Sequence, residues 1–141
     1  MAAAELKLLF LCVANSARSQ MAEALARDLL GDRGECFSAG SQPSGKVHPC
    51  ALEVLKEKNL PTDLLTSKSV DDFSPEFLSS LDYVITLCAE EVCPLVVSPA
   101  QRIHWPLPDP AAASSEEMLL SFRKIRDQIH LKLQEFLSTK I

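Results

Sequence analysis

The chain has 141 residues, 47% of them apolar and 23% charged, and a formal net charge of −5. That composition excludes a disordered chain, and the negative balance argues against nucleic acid as a partner. No apolar run reaches the ~18 residues of a membrane span, and the first residues carry no basic targeting segment. Five cysteines, an odd set without an export signal, read as reduced cytoplasmic thiols, some of them catalytic, rather than a disulfide framework; the chain is separately expected to be a monomer.

Apolar runs alternate with helical patterns across one domain, residues 1–141. This predicts an α/β fold, a single three-layer domain with a four-stranded parallel sheet flanked by helices. The first strand is Lys7 to Cys12, apolar on both faces as a central parallel strand must be. A helix follows from Ser19 to Leu30, with Met21, Leu25 and Leu29 on one face and Gly31 as its C-cap. A short strand from Glu35 to Ala39 ends at Gly40. The polar stretch Ser41 to Lys46, holding Pro43 and Gly45, reads as an exposed, mobile loop.

Pro49 suits the first turn of a second helix, which runs to Lys58 and is ended by Asn59 and Pro61. Ser74-Pro75-Glu76 opens a short third helix. The run Tyr83 to Leu87 is a buried strand leading to Cys88, and Arg102 to His104 is the last strand. Trp105 to Pro110 holds three prolines and must be irregular. Ser114 with Glu117 has the capping-box pattern. Met118, Phe122, Ile125, Ile129, Leu133 and Phe136 then form one apolar stripe of a final helix.

The chemistry concentrates at Cys12-Val13-Ala14-Asn15-Ser16-Ala17-Arg18-Ser19. Ligands of parallel sheets bind at the carboxyl ends of strands, and Cys12 is at that end of the first strand. A turn from Val13 to Arg18 would direct several N–H groups inward, and the helix after it adds the positive end of its dipole. Those donors suit phosphate, arsenate or sulfate, and they favour the thiolate of Cys12. Ser19 can donate to the sulfur. Arg18 offers a planar fork matching two oxygens of an anion. Asn15 suits a left-handed backbone position. A cysteine and an arginine at this spacing are a weak signal by themselves. The strand before them and the helix after them make it specific. The bland reading is a core cysteine beside a surface arginine.

Cys88 and Cys93, at the end of a later strand, look like a redox pair, against the plainer reading of two small buried hydrophobes. Were Ala89 to Val92 helical, the two thiols would lie about 1.5 turns apart and a disulfide would need local unwinding. Cys36 and Cys50 read as packing residues, His48 as a helix-start residue, His104 as structural and His130 as solvated. No metal-ligand cluster is visible, so neither a metal nor another cofactor is expected.

CVANSARS resembles the C-x-G-N-S-C-R-S signature of thioredoxin-coupled arsenate reductases, which share the low-molecular-weight protein tyrosine phosphatase fold. The resemblance covers nearly the whole chain. It includes Phe37-Ser38-Ala39-Gly40, Val84-Ile85-Thr86-Leu87-Cys88, and His104-Trp105 through Asp109-Pro110-Ala111. Two departures fall in the loop, Ala14 for the usual glycine and Ala17 for a frequent cysteine.

The resemblance implies a three-cysteine relay. The nucleophile Cys12 attacks arsenate held by Val13 to Ser19 and Arg18, and Asp109 protonates the departing oxygen. Cys88 releases arsenite, and Cys93 closes a Cys88–Cys93 disulfide that thioredoxin or another dithiol or thiol reductant reopens. The segment Ala89 to Pro94 should move outward to offer that disulfide. The spacer between the two cysteines is shorter than in some relatives. Some relatives also bind potassium through side chains matching Asn15, Glu23, Ser38 and Asp63. The alternative is a phosphatase using Cys12, Arg18 and Asp109 alone. Ala111, where such phosphatases often carry an aromatic residue, counts against aryl phosphates. A third reading is a non-catalytic anion-binding domain.

Overall fold

The computed structural model describes residues 5–89 and 92–140. Four strands, β1 (Leu6–Cys12), β2 (Gly34–Gly40), β3 (Tyr83–Thr86) and β4 (Gln101–His104), form one parallel sheet in the order β2-β1-β3-β4. Leu8 to Leu11 are completely buried because β1 is central and covered on both faces. Leu8 and Phe10 point into the larger core, among residues of α1 (Arg18–Leu30), α2 (Pro49–Lys56) and α4 (Met118–Ser138). Leu9 and Leu11 point into the smaller core, with Val84, Val96 and Phe77 of α3 (Pro75–Ser79). These are the three predicted layers, helices on either side of a parallel sheet.

The predicted elements hold, with adjustments at their ends. Gly31 caps α1 at φ 57°, its N–H bonding to Arg27 O. α2 stops at Lys56, two residues short of the expectation. Asn59 at φ 60° turns the chain, and Leu60 N–H reaches back to Leu55 O.

The capping box expected at Ser114 and Glu117 does not form. α4 starts at Met118, no side chain caps it, and Glu117 N–H donates to the Ser114 carbonyl in an isolated turn. Ser114 to Glu117 are all exposed, so no packing holds another helical turn there. A capping box occurs instead at Ser69, ahead of a 3-10 turn at Val70–Asp72. The stripe of α4 widens at its end. Leu137 is buried, while Phe136 stands edge-on to the rings of Tyr83 and Trp105.

One charged cluster pins α4 to the end of α2. Arg123 bonds Glu57 through two nitrogens, and Arg126 reaches both Glu57 and the Val54 carbonyl. Hydrogen bonds from these guanidinium groups, Arg123 first, hold the Glu57 carboxyl down to a pKa of about 2.

Candidate active site

The segment 13–17 joins β1 to α1 at the carboxyl edge of the sheet. The carbonyls of Val13, Ala14 and Ser16 each accept a 2.9 Å bond from the N–H of Gln42, Ser44 and His48 respectively. The Asn15 carbonyl accepts from Gln20 Nε2 at 3.0 Å. In a trans peptide the carbonyl and the next N–H point opposite ways. Four carbonyls turned outward therefore leave the N–H groups of Ala14, Asn15, Ser16 and Ala17 facing inward, as an anion nest requires. No side chain caps the start of α1, so its first-turn donors and dipole also face this site. The loop expected to be free, Ser41 to Lys46, is exposed, but it is hydrogen-bonded along the outside of the nest.

Asn15 holds the nest in shape. It has φ 49°, the left-handed conformation expected of it. Ala14 is not among the residues with positive φ, so losing the family's glycine costs no strain there. The Asn15 amide oxygen accepts from Lys68 N–H at 2.7 Å and from Gln20 Nε2 at 3.0 Å. Its amide nitrogen donates to Ser19 Oγ at 2.7 Å and to Ser38 Oγ at 3.0 Å. The Ser38 hydroxyl in turn donates a hydrogen bond to Glu23 Oε1 at 2.7 Å. Ser19 Oγ, already accepting from Asn15, lies 2.9 Å from Cys12 Sγ and is left to donate to it.

Glu23 is 1% exposed, yet it is neutralised twice. Arg27 approaches one oxygen at 2.8 Å and the Lys68 ammonium lies 3.8 Å from the other. Burial lowers the pKa of Lys68, and Glu23 opposes that shift. A potassium ion does not fit these residues. A carboxylate flanked by two cations has little attraction left for a third, and Asp63 is in an exposed turn. Among the described residues no group of three His, Cys, Asp or Glu could hold a metal.

Arg18 is buried at the start of α1, and its Nη1 donates to Leu107 O at 2.9 Å and, more weakly, to Leu87 O at 3.5 Å. These carbonyls fix the guanidinium beside the end of β3. Leu107 N–H in turn bonds Leu87 O, which anchors the proline-rich segment carrying Asp109. Asp109 is exposed and accepts from Ala111 N–H at 3.0 Å, so it caps a short 3-10 turn at Pro110–Ala112.

Cys88 follows β3, whose register pairs Leu11 with Thr86, and Leu87 N–H bonds Leu11 O. Were that ladder to continue past Thr86, with strands ~4.8 Å apart and a rise of ~3.3 Å, the Cα atoms of Cys12 and Cys88 would lie about 6 Å apart, within the range that a disulfide spans. Cys88 is bonded to Cys93, Cα to Cα 5.6 Å, while Cys12 carries a free thiol. Ala89 and Val92 are not helical, and Glu90 and Glu91 lie outside the described residues. The 5.6 Å Cα separation satisfies disulfide geometry as it stands. Cys88 is 1% exposed, whereas Cys93 is partly open to solvent. Cys36 and Cys50 are packing residues, as expected. Burial pushes the Cys36 thiol up to about 12. His48 accepts from Cys50 N–H as the cap of α2, and His104 bonds Thr86.

Four contributors escaped the sequence. Gln20 and Lys68 hold the Asn15 oxygen, and the backbone of 42–48 straps the nest. Gly40, quoted in the motif without a role, lets β2 approach the loop. A Cβ there would meet Val13 O at 2.2 Å. Lys68, the 42–48 backbone and Gly40 carry no local signal because they act across the fold, whereas Gln20 is only five residues from Asn15.

Residues 7–141 match the family described as low molecular weight phosphotyrosine protein phosphatase. An arsenate reductase of Halalkalibacterium halodurans is 40% identical over 134 residues, 92% of this chain and 94% of the relative. That of Bacillus subtilis is 39% identical over 134 residues, again 92% and 94%. A solved structure described as an arsenate reductase in the phosphate binding state matches with a TM-score of 0.77 and 30% identity, over 95% of this chain and 98% of its own. The thioredoxin-dependent arsenate reductase of Corynebacterium glutamicum matches at 0.75 and 28% identity. It covers 99% of this chain, which spans only 63% of that longer one. Identity at this level over almost the full length of the curated relatives places the chain in the low molecular weight phosphotyrosine protein phosphatase family, among its arsenate reductases.

Proposed function

We propose that this protein reduces arsenate to arsenite through Cys12, Cys88 and Cys93 in sequence. The observation that carries this reading is the Cys88–Cys93 disulfide, which follows the strand paired with the one that ends at a free Cys12. A phosphatase of this fold needs one thiol and water. Reduction consumes two electrons, and a dithiol closing to a disulfide supplies two.

The Cys12 thiolate attacks arsenic in arsenate bound to the N–H groups of 14–17 and to Arg18. Asp109 protonates the departing oxygen, which leaves as water; a positioned acid is worth ~10²–10⁴ in rate. The Cys88 thiolate then attacks Cys12 Sγ. The sulfur–arsenic bond breaks, its electron pair stays on arsenic, and arsenite departs from a Cys12–Cys88 disulfide. The Cys93 thiolate attacks Cys88 Sγ and returns Cys12 as a thiolate. The remaining Cys88–Cys93 disulfide is reduced by an external dithiol such as thioredoxin. All three sulfurs come from one chain, so the reading takes the protein as a monomer, working in the reducing cytoplasm. Because phosphate and arsenate are nearly isosteric, weak phosphatase activity accompanies it.

Mass spectrometry after one turnover with arsenate tests the relay. The reading predicts a Cys88–Cys93 disulfide in wild type and a trapped Cys12–Cys88 disulfide in Cys93→Ser. Cys93→Ser should complete one turnover and then stall with thioredoxin. Sustained turnover of that variant would refute the relay. Efficient aryl phosphate hydrolysis untouched by Cys88→Ser, with no arsenate consumed, would make the protein a phosphatase.

A further inference from the structure

Six large apolar side chains stand far out in solvent among the described residues, and three of them cluster in one short segment. Val92, Leu95 and Val97 are 90%, 84% and 92% exposed. All three lie within four residues of Cys93. They alternate with buried Pro94 and Val96. Val96 is inserted into the smaller core beside Leu9, Leu11 and Val84. The segment is held further by Arg102, which donates to the Val96 carbonyl, and by Ser98, which donates to the Leu78 carbonyl. The inward residues are explained by packing. The outward ones are not, yet the anchored backbone at Val96 and Ser98 holds Leu95 and Val97 out in solvent.

From Val92 to Gln101 there is no charged residue, in a chain where 23% are charged. An uncharged, preordered aliphatic strip on a surface marks a place where another protein sits. Its position names the occupant. The disulfide beside it must be reopened from outside. Cys88 is closed to solvent, so the approach runs over Cys93 and therefore over this strip.

We propose that Val92, Leu95 and Val97 form the docking surface for a dithiol protein of the thioredoxin type, and that they select such a protein over a small thiol. The inference rests on reading Cys88–Cys93 as the disulfide recycled in each turnover. The partner's thiolate attacks Cys93 Sγ, the Cys88–Cys93 bond breaks, and Cys88 leaves as a thiolate that takes up a proton. The partner's second thiolate attacks the mixed disulfide, Cys93 is released as a thiol, and the partner departs oxidised by two electrons. A small thiol performs the same exchange but is too small to cover the strip.

The test uses the full chain with its disulfide closed, in wild type and in the double variant Leu95→Ser with Val97→Ser. Each is reduced without arsenate, once by thioredoxin kept reduced by its reductase and once by dithiothreitol, and opening of the disulfide is followed by thiol alkylation and mass spectrometry. The second-order rate constant with thioredoxin should fall at least tenfold in the variant, with the dithiothreitol rate within twofold of wild type. Leu95→Ala alone, an exposed truncation that leaves the core intact, should give a smaller fall in the same direction. An unchanged thioredoxin rate overturns the proposal, and so does an equal fall with both reductants, which would make the strip a support for the disulfide loop. If wild type opens faster with thioredoxin, as expected, but never consumes arsenate, the docking surface stands and the reductase reading fails.

Discussion

Replacing Gly40 by alanine tests how closely β2 must approach the nest. The added Cβ would lie 2.2 Å from Val13 O, 2.9 Å from Val13 C and 3.0 Å from Asn15 N. An ordinary carbon–oxygen contact is ~3.2 Å or more, so the carbonyl must retreat by about 1 Å. All three obstructing atoms are backbone, and turning one carbonyl cannot relieve the others. Val13 O is also held by Gln42 N–H. Moving β2 instead would strain the Gly40 N–H bond to Lys68 O and the Ser38 bond to Asn15. Overpacking of this kind costs about 1–3 kcal/mol. With an unfolding entropy of ~2.1 cal/mol/K per residue, that lowers the Tm of this 141-residue chain by about 3–10 °C. A 1 Å displacement of a catalytic loop costs about 10²-fold in rate. The assay is single-turnover arsenate reduction by the pre-reduced protein, with thermal unfolding in parallel. Gly45→Ala is the comparison. It has open space around it but φ 94°, so it should lose about 1 kcal/mol of stability and little activity. Gly40→Ala with a wild-type Tm and activity within twofold of wild type would refute the reasoning.

Asn15→Ala removes both side-chain donors and the acceptor that ties the nest to Lys68 and Gln20, and leaves alanine at φ 49°. It should destabilise the protein by about 3 kcal/mol and lower the rate of Cys12 alkylation at neutral pH; an unaltered denaturation midpoint would count against the network. Glu57→Gln should lose stability at pH 7. The Glu57 pKa is lowered from 4.5 to about 2, so its contribution is complete above pH 4.5 and fades as pH falls toward 2. Urea midpoints of the two proteins should therefore converge over that window, and a constant gap down to pH 2 would contradict the assignment. Cys36, with its thiol pushed up to about 12 by burial, should stay unmodified by iodoacetamide at pH 8 until the protein unfolds, which peptide mapping would show.

The site was legible in the sequence wherever its signals are contiguous. Cys12 to Ser19 declared a strand-to-helix turn because the apolar run before it and the helical pattern after it are adjacent in the chain. Asn15 declared its left-handed conformation because side-chain chemistry favours it locally. The burial of β1 on both faces followed from its unbroken apolar run, and the stripe of α4 from its periodicity. Phe136 ends that stripe against the rings of Tyr83 and Trp105, and only the packed structure adds Leu137 to it.

What the linear chain determined, then, is the chemistry available: which thiols, which guanidinium, which carboxylate, and on what kind of turn. Which groups complete the nest was a tertiary decision. Lys68 meets Asn15 across 53 positions and Arg18 meets Leu107 across 89. Potassium was compatible with the residue types, and only folding brought Lys68 beside Glu23, which Arg27 already pairs one helical turn away. The physical reason is that a polar contact depends on distances of about 3 Å. Sequence spacing controls such distances within a turn or a helix, and only the packed sheet controls them between strands.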